Sequence, residues 1–331
     1  MSPCMIRSST RLALVNLLLL LCPVLLSSLA VVTLEESAKD DPGLLSLLQV
    51  SFGQDTRRHA RRAAPALREG PYWSGKNGDA FRTGASAFVA PSNVSAGPTW
   101  SFHEGGKAGT SLVRASPLID AGRNVYVTTI PGNAHKISPN GTQVWTYSSG
   151  GAEIPSVGAL LDGSLYLGAA DGSVIALDMV TGKQRWRTKA GACSAGDTWS
   201  ITASSGMVVT SVASPNLCDF NQEIVGMRAT DGAVVWRRAF PSVVYNTLSA
   251  AVDGKLVVAD RTGQAFCLKL TTGEEFWHSD SKLVDPMSLT TGGAIVGPNK
   301  VVYVTSNYGN NLMVQGGAPG KGRVSAYKLA D

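Results

Sequence analysis

The chain has 331 residues, enough for one large domain with appendages. Its net charge of +5 is modest, and much of the positive clustering lies in the N-terminal tail. No basic stripe with interleaved aromatic residues occurs, so a nucleic-acid-binding signature is excluded.

Residues 1–30 read as a targeting segment. Arg7 and Arg11 precede an apolar run from Leu12 to about Leu34, and Glu35-Glu36 follows it. Ser28 and Ala30 place small residues at both specificity positions of a signal-peptide cleavage site. An uncleaved signal anchor is the alternative, because the run approaches the length of a membrane span, although Asn16 and Pro23 interrupt it. Either way, the charge asymmetry sends the body into the secretory pathway, extracellular or membrane-anchored. Membrane contact is expected only through this segment.

Residues 31–70 read as a disordered linker or pro-segment. Leu44-Leu45-Ser46-Leu47-Leu48 has the pattern of a short amphipathic helix. Arg57-Arg58-His59-Ala60-Arg61-Arg62 is either a processing site or a solvated charge run, and such runs are common in linkers.

From residue 71 to 331 the chain reads as all-β. Asn140-Gly141, Asp162-Gly163, Asp171-Gly172, Asp231-Gly232 and Asp253-Gly254 are hairpin signals, because these pairs tolerate positive φ. β-rich runs such as Asn124–Thr129 and Lys255–Ala259 lie between them. A repeat ends in tryptophan, with a glycine four residues before it: Gly141…Trp145, Gly182…Trp186, Gly232…Trp236 and Gly273…Trp277. Short strands at a period of some 40 to 50 residues mark the blades of a β-propeller. In the clearest copy, an inner strand precedes Asp162, followed by strands at Ser164–Gly168, Ser173–Asp178 and Lys183–Arg187. Four antiparallel strands make one blade. The tryptophan near its outer edge fills the widening gap between wedge-shaped blades, and the glycine allows a turn and close backbone approach. Burying roughly 150–250 Å² of indole at about 25 cal/mol per Å² contributes on the order of 4–6 kcal/mol, an upper bound. The recurrence thus has a structural explanation.

Ala176, Asp178, Gly182 and Trp186 form the pattern Ala-x-Asp-x-x-x-Gly-x-x-x-Trp. It resembles the tryptophan-docking motif of the pyrroloquinoline quinone (PQQ)-like repeat family. The other copies keep its second half and begin with His135, Gly226 and Cys267. Trp73–Gly84 is similar to the lead-in before many such propellers. The resemblance implies a PQQ-like propeller, a fold seen in quinoprotein dehydrogenases and in non-catalytic proteins such as the bacterial outer-membrane assembly lipoprotein.

Five segments fit third strands, ending near Ile137, Asp178, Ala229, Leu270 and Leu329, and four are followed by their own Gly…Trp strand. Gly97-Pro98-Thr99-Trp100 is a tryptophan strand with no blade before it. About five repeats are therefore expected, closed by pairing the strand around Trp100 with the last blade. The stretch from Asn307 to Gly322 is glycine-rich and loop-like, and it lacks the Walker pattern.

Two cysteines fall in the targeting segment. Cys193 and Cys218 bracket the longest stretch between tryptophans and can close a disulfide in an oxidising compartment. Cys267 reads as a buried small hydrophobe. Asn93 and Asn140 begin glycosylation sequons, relevant if the chain is secreted.

A quinoprotein dehydrogenase would hold its quinone on the propeller axis, with calcium held by several oxygen ligands and an aspartate base. No ligand set or base matches residue by residue, and no adjacent cysteines occur. Neither a nucleophile elbow nor a His-Glu-x-x-His pattern is present, and of the four histidines His135 and His278 sit on repeat strands. Asp197 and Trp199, in the stretch between Cys193 and Cys218, are the best candidates for a rim contact, with loop packing the favoured reading. The expected function is a non-catalytic binding or scaffold module for a protein or glycan, with no cofactor. The alternatives are a PQQ- and calcium-dependent dehydrogenase, or a derivative of one, and a sensor ectodomain.

Overall fold

Three turns show why strands begin and end where they do. Asp162-Gly163, Ser205-Gly206 and Asp253-Gly254 all place both residues at positive φ, 48° followed by 70–73°. This is the primed turn whose twist matches a tight hairpin. The first and third follow from their Asp-Gly pairs, while Ser205-Gly206 reaches the same geometry with serine in the first position.

The computed structural model describes residues 73–86, 95, 97–106, 111–195, 199–213, 218, 220–244, 249–280, 293–308 and 321–329. The chain divides into two units, Met1–Arg61 and Arg62–Asp331, and every described residue belongs to the second. The leader, the linker and the basic cluster lie outside the described residues. No helix among the described residues is long and apolar enough to cross a membrane.

Five antiparallel sheets follow one another along the chain. Blade 1 contains β1 (Leu118–Ile119), β2 (Val125–Thr129), β3 (Asn133–Ile137) and β4 (Gln143–Ser148). Blade 2 contains β5 (Ala159–Leu161), β6 (Ser164–Gly168), β7 (Ser173–Asp178) and β8 (Gln184–Lys189). Blade 3 contains β9 (Thr202–Ser204), β10 (Met207–Ala213), β11 (Asn221–Arg228) and β12 (Val234–Ala239). Blade 4 contains β13 (Ala250–Val252), β14 (Lys255–Ala259), β15 (Ala265–Lys269) and β16 (Glu275–His278). Among the described residues, blade 5 has three strands, β17 (Ala294–Val296), β18 (Val301–Tyr308) and β19 (Lys321–Lys328). The third strands β3, β7, β11, β15 and β19 end within a residue of the positions the repeat marks. The fold is an all-β propeller of PQQ-like blades.

Register explains how blades join. In blade 2, Ala159, Tyr166, Ala176 and Trp186 pair across four strands and so share one face. Leu118, Tyr126, Lys136 and Trp145 form the same row in blade 1. These rows face the following blade. Leu118, Tyr126 and Trp145 pack with Leu160, Leu165 and Leu177, while Ala159, Tyr166 and Ala176 pack with Val208, Val225 and Met227. The core is therefore a series of layers, each shared by two blades.

Each indole then crosses to its neighbour. Trp145 Nε1–H donates to the Met179 carbonyl (3.2 Å), Trp186 to Ala229 (3.0 Å) and Trp236 to Leu270 (2.9 Å). The rings lie on Gly182, Gly232 and Gly273, where an added Cβ would come within 2.5–2.7 Å of ring carbon. Each of these glycines also has a φ of 70–74°. The receiving glycine thus belongs to the next repeat, whereas sequence spacing ties each tryptophan to the glycine of its own.

Trp100 docks in the same way on blade 1. Its Nε1–H donates to Pro139 O at 3.1 Å, and its ring covers Gly141, where a Cβ would meet it at 2.8 Å. It therefore stands where the indole of a preceding blade would stand. Among the described residues, however, no ladder joins residues 97–103 to β19, so the pairing that would close the ring is not seen. Trp277 packs its ring 5.7 Å from Tyr327, and its buried Nε1–H has no hydrogen-bond partner among the described residues.

Candidate functional site

The first strands of all five sheets converge on residues 73–82. This lead-in folds into a small knot because Asn77 (φ 57°) and Gly78 (φ 97°) reverse the chain. Ser74 N–H donates to Gly78 O at 2.7 Å, and Gly84 N–H to Asn77 O at 2.8 Å. The Trp73 ring lies over Gly78, 3.5 Å from where a Cβ would sit.

The knot then bonds every blade. Trp73 exchanges two backbone hydrogen bonds with Ile119 of β1, both 3.0 Å. Leu160 N–H of β5 donates to Ser74 O at 2.8 Å, Ala251 N–H of β13 to Ala80 O at 2.8 Å, and Val296 N–H of β17 to Phe81 O at 3.4 Å. Blade 3 is held by the Arg82 side chain.

Arg82 is 2% exposed and has a φ of 64°. Its Nε donates to Ser249 O (2.9 Å) and its Nη1 to Lys76 O (2.8 Å) and Asp79 O (3.4 Å). Its Nη2 donates to Thr202 Oγ1 (2.7 Å), Ser200 Oγ (3.3 Å) and Ile201 O (3.3 Å). All five guanidinium donors are thereby engaged, by carbonyl and hydroxyl oxygens. Burial pulls its pKa down to about 10, and the nearby Asp79 carboxylate opposes that shift. The centre on which the first strands of the five sheets converge is therefore occupied by the chain itself. Sequence reasoning recognised the lead-in but missed Arg82, whose partners on blade 3 and ahead of β13 are more than a hundred residues away.

A second buried polar group pins residues 100–106 to blade 1. Glu104 Oε1 lies 3.3 Å from His135 Nε2 and accepts from Asn133 Nδ2 at 2.5 Å. His135 Nδ1 lies 3.0 Å from Thr146 Oγ1, and the Phe102 ring covers the imidazole at 5.1 Å. Burial holds His135 below its ordinary pKa, against the pull of Glu104. Desolvation pushes the Glu104 carboxyl up, but the hydrogen bonds from Asn133 and Ser111 and the nearby His135 outweigh it and hold Glu104 below the usual carboxylate range. His278 lies elsewhere, exposed on β16 beside Glu275.

The other singled-out residues are dispersed. Cys193 and Cys218 form a disulfide across 25 residues of sequence. Beside it, Asn221 accepts from Ala195 N–H (2.8 Å) and donates to Ser211 Oγ (2.9 Å). Trp199 is fully buried rather than at a rim, with its Nε1 2.9 Å from where a Cβ at Gly168 would sit. Asp197 and Asn93 lie outside the described residues. Asn140 is exposed in the turn beneath Trp100, where its side-chain oxygen accepts from Thr142 N–H at 3.2 Å. Cys267 is fully buried, and burial pushes its thiol up to about 11. Among the described residues, no three His, Cys, Asp or Glu side chains converge as a metal centre would require.

Among the described residues, no strand pairs with the outer side of β19 in blade 5. Ile295, Tyr303 and Ala326 form one cross-strand row, with Thr305 and Val324 beside it. The matching row of blade 4, Ala250, Val257 and Cys267, is fully buried by blade 5. In blade 5, Ile295 is 44% and Val324 70% exposed.

Comparison with known proteins gives the family. The model of the outer membrane protein assembly factor BamB family matches residues 94–259 and again 132–320, together more than half of the chain. No curated protein matches the sequence. BamB from Moraxella catarrhalis is 20% identical with a TM-score of 0.48, over 60% of this chain and 57% of that one. Quinohemoprotein alcohol dehydrogenase from Comamonas testosteroni is 16% identical with a TM-score of 0.43, over 58% of this chain and 41% of that one. The chain thus spans less than two thirds of either structure. The twofold match of the family model, set on blades whose tryptophans dock as described, shows that this chain belongs to the PQQ-like repeat propeller family of BamB.

Proposed function

We propose that this chain is a non-catalytic binding module that offers its blade surfaces to a protein partner outside the cytosol. The observation that carries this reading is the occupied centre. Residues 73–82 hydrogen-bond all five blades there, and Arg82 has no donor left for a ligand. Fold alone does not decide function, so the filled centre matters more than the architecture. The family model's assembly-factor name supports a protein partner. The Cys193–Cys218 disulfide supports an oxidising compartment, as does the apolar leader of residues 1–30. Calorimetric titration of the full chain with PQQ and calcium tests the reading. No heat of binding from a chain that melts cooperatively is expected. Saturable one-site binding would overturn it in favour of the dehydrogenase.

A further inference from the structure

We infer that Asn140 is an N-glycosylation site, whose side-chain nitrogen receives an oligosaccharide from a lipid-linked diphosphate donor. This goes beyond the binding-module reading and rests on it only for the location of the body outside the cytosol.

The turn between β3 and β4 separates what the fold needs from what it does not. It carries the sequon Asn140-Gly141-Thr142. Gly141 is fixed by packing: its φ is 85°, and a Cβ there would meet the Trp100 ring at 2.8 Å. The residues on either side of it are not fixed in this way. The matching turns carry Thr181 and Lys183, Asp231 and Ala233, and Thr272 and Glu274 around their glycines. No other copy joins an asparagine to a hydroxyl two residues on. Asp231 shows what the turn takes from this position, since its Oδ1 accepts from Ala233 N–H at 3.0 Å. Asn140 Oδ1 does the same for Thr142 N–H at 3.2 Å and also accepts from Ser138 Oγ. The carboxamide oxygen thus meets the whole demand of the turn.

The nitrogen is left over. Asn140 is exposed, and its Nδ2 has no hydrogen-bond partner among the described residues. In Asp231 the corresponding second oxygen is taken by Arg228 Nη1 at 2.6 Å. Because Oδ1 is tied toward the turn, Nδ2 on the other arm of the same planar group is directed to solvent. Thr142, which supplies the hydroxyl of the sequon, is exposed beside it. In the transfer, Nδ2 bonds to the anomeric carbon of the first sugar and gives up one proton. The bond from that carbon to the donor's diphosphate oxygen breaks, and the diphosphate leaves on its lipid. Every side-chain hydrogen bond that Asn140 gives the turn runs through Oδ1, so the sugar attaches without breaking one. The Cys193–Cys218 disulfide supports the oxidising compartment in which such transfer takes place.

The test expresses the full chain, leader included, in cultured cells with a glycosylating secretory pathway, and appends a reporter sequon after Asp331. Mass spectrometry reads residue 140 before and after peptide N-glycosidase digestion in heavy-oxygen water. A glycopeptide spanning Asn140 is expected before digestion, and aspartate labelled with heavy oxygen after it. Unlabelled aspartate at 140 without a glycopeptide is spontaneous deamidation of the Asn-Gly pair and overturns the inference. Asn140→Gln and Thr142→Ala should each lose the mobility shift of a single glycan, and Thr142→Ser should keep it. Asn140→Gln should melt as the deglycosylated chain does, which separates loss of the sugar from loss of the fold. A bare Asn140 on a chain whose reporter carries sugar overturns the inference and leaves the location and the PQQ result standing. A bare Asn140 with a bare reporter overturns the inference together with the location outside the cytosol.

Discussion

Trp236 lies on Gly273, a residue of the next blade, and its Nε1–H reaches Leu270 O at 2.9 Å. The ring and the glycine act as one unit. A Cβ at Gly273 would sit 2.7 Å from the indole, and φ there is 72°. Trp236→Ala is expected to cost about 3–5 kcal/mol by cavity formation. Gly273→Ala should cost more than about 1 kcal/mol, through clash and backbone strain. Because both changes break one contact, the double variant should fall well short of the sum. Urea unfolding of the three variants measures this, and simple additivity would show that the two residues act independently.

Arg82 predicts a different kind of loss. Arg82→Ala would strand acceptors in three places, at Ser249, at Thr202 and within the knot. Each buried group left without a partner costs about 1–3 kcal/mol. The expected loss exceeds about 3 kcal/mol, and Arg82→Lys should recover only part of it, because one ammonium cannot reach all these oxygens. Hydrogen exchange should show the amides of Leu160 and Ala251 losing protection together, since both donate to the knot. An unchanged melting temperature would contradict the role given to the guanidinium.

Reduction of Cys193–Cys218 should destabilise the chain by about 3 kcal/mol, from the entropy regained by a loop of 25 residues. The double variant Cys193→Ser, Cys218→Ser should show the same loss and become insensitive to reductant. A melting temperature equal with and without reductant in the unaltered chain would count against the bond.

Acidification should weaken the hold of residues 100–106. Buried His135 stays neutral in the folded chain below its ordinary pKa of 6.5, so the unfolded chain binds more protons in that window. Stability therefore falls as pH drops from 6.5 toward the folded value. Glu104, lowered from 4.5, adds a second loss as pH falls below that point. His135→Gln should flatten the upper part of the melting-temperature profile and leave the lower part. An identical profile in both chains would remove His135 as the cause.

The parts legible in the sequence were those encoded locally. Asp162-Gly163 and Asp253-Gly254 announce hairpins because two adjacent residues set the turn. The third strands follow from such turns and from the Gly…Trp spacing. What escaped is contact across the chain. Nothing near Trp236 says that its glycine is Gly273 and not Gly232. Arg82 sits in a short polar lead-in, and its burial depends on Ser200, Thr202 and Ser249 being brought to the centre by blades not yet formed. Ser205-Gly206 escaped for the opposite reason: serine seldom takes a positive φ, and here the hairpin imposes it. Trp199 follows the loop-packing reading of its long loop, since it is fully buried.

The direction of the indole contacts gives the chain an order of assembly. Trp100, Trp145, Trp186 and Trp236 all precede the glycines that receive them, Gly141, Gly182, Gly232 and Gly273. During synthesis every ring is therefore made before its seat. Each newly emerging turn captures an aromatic already waiting upstream, and the layer between two blades seals as the second is completed. Growth proceeds vectorially from the N-terminal end, so no blade has to hold open a seat for a residue the ribosome has yet to deliver.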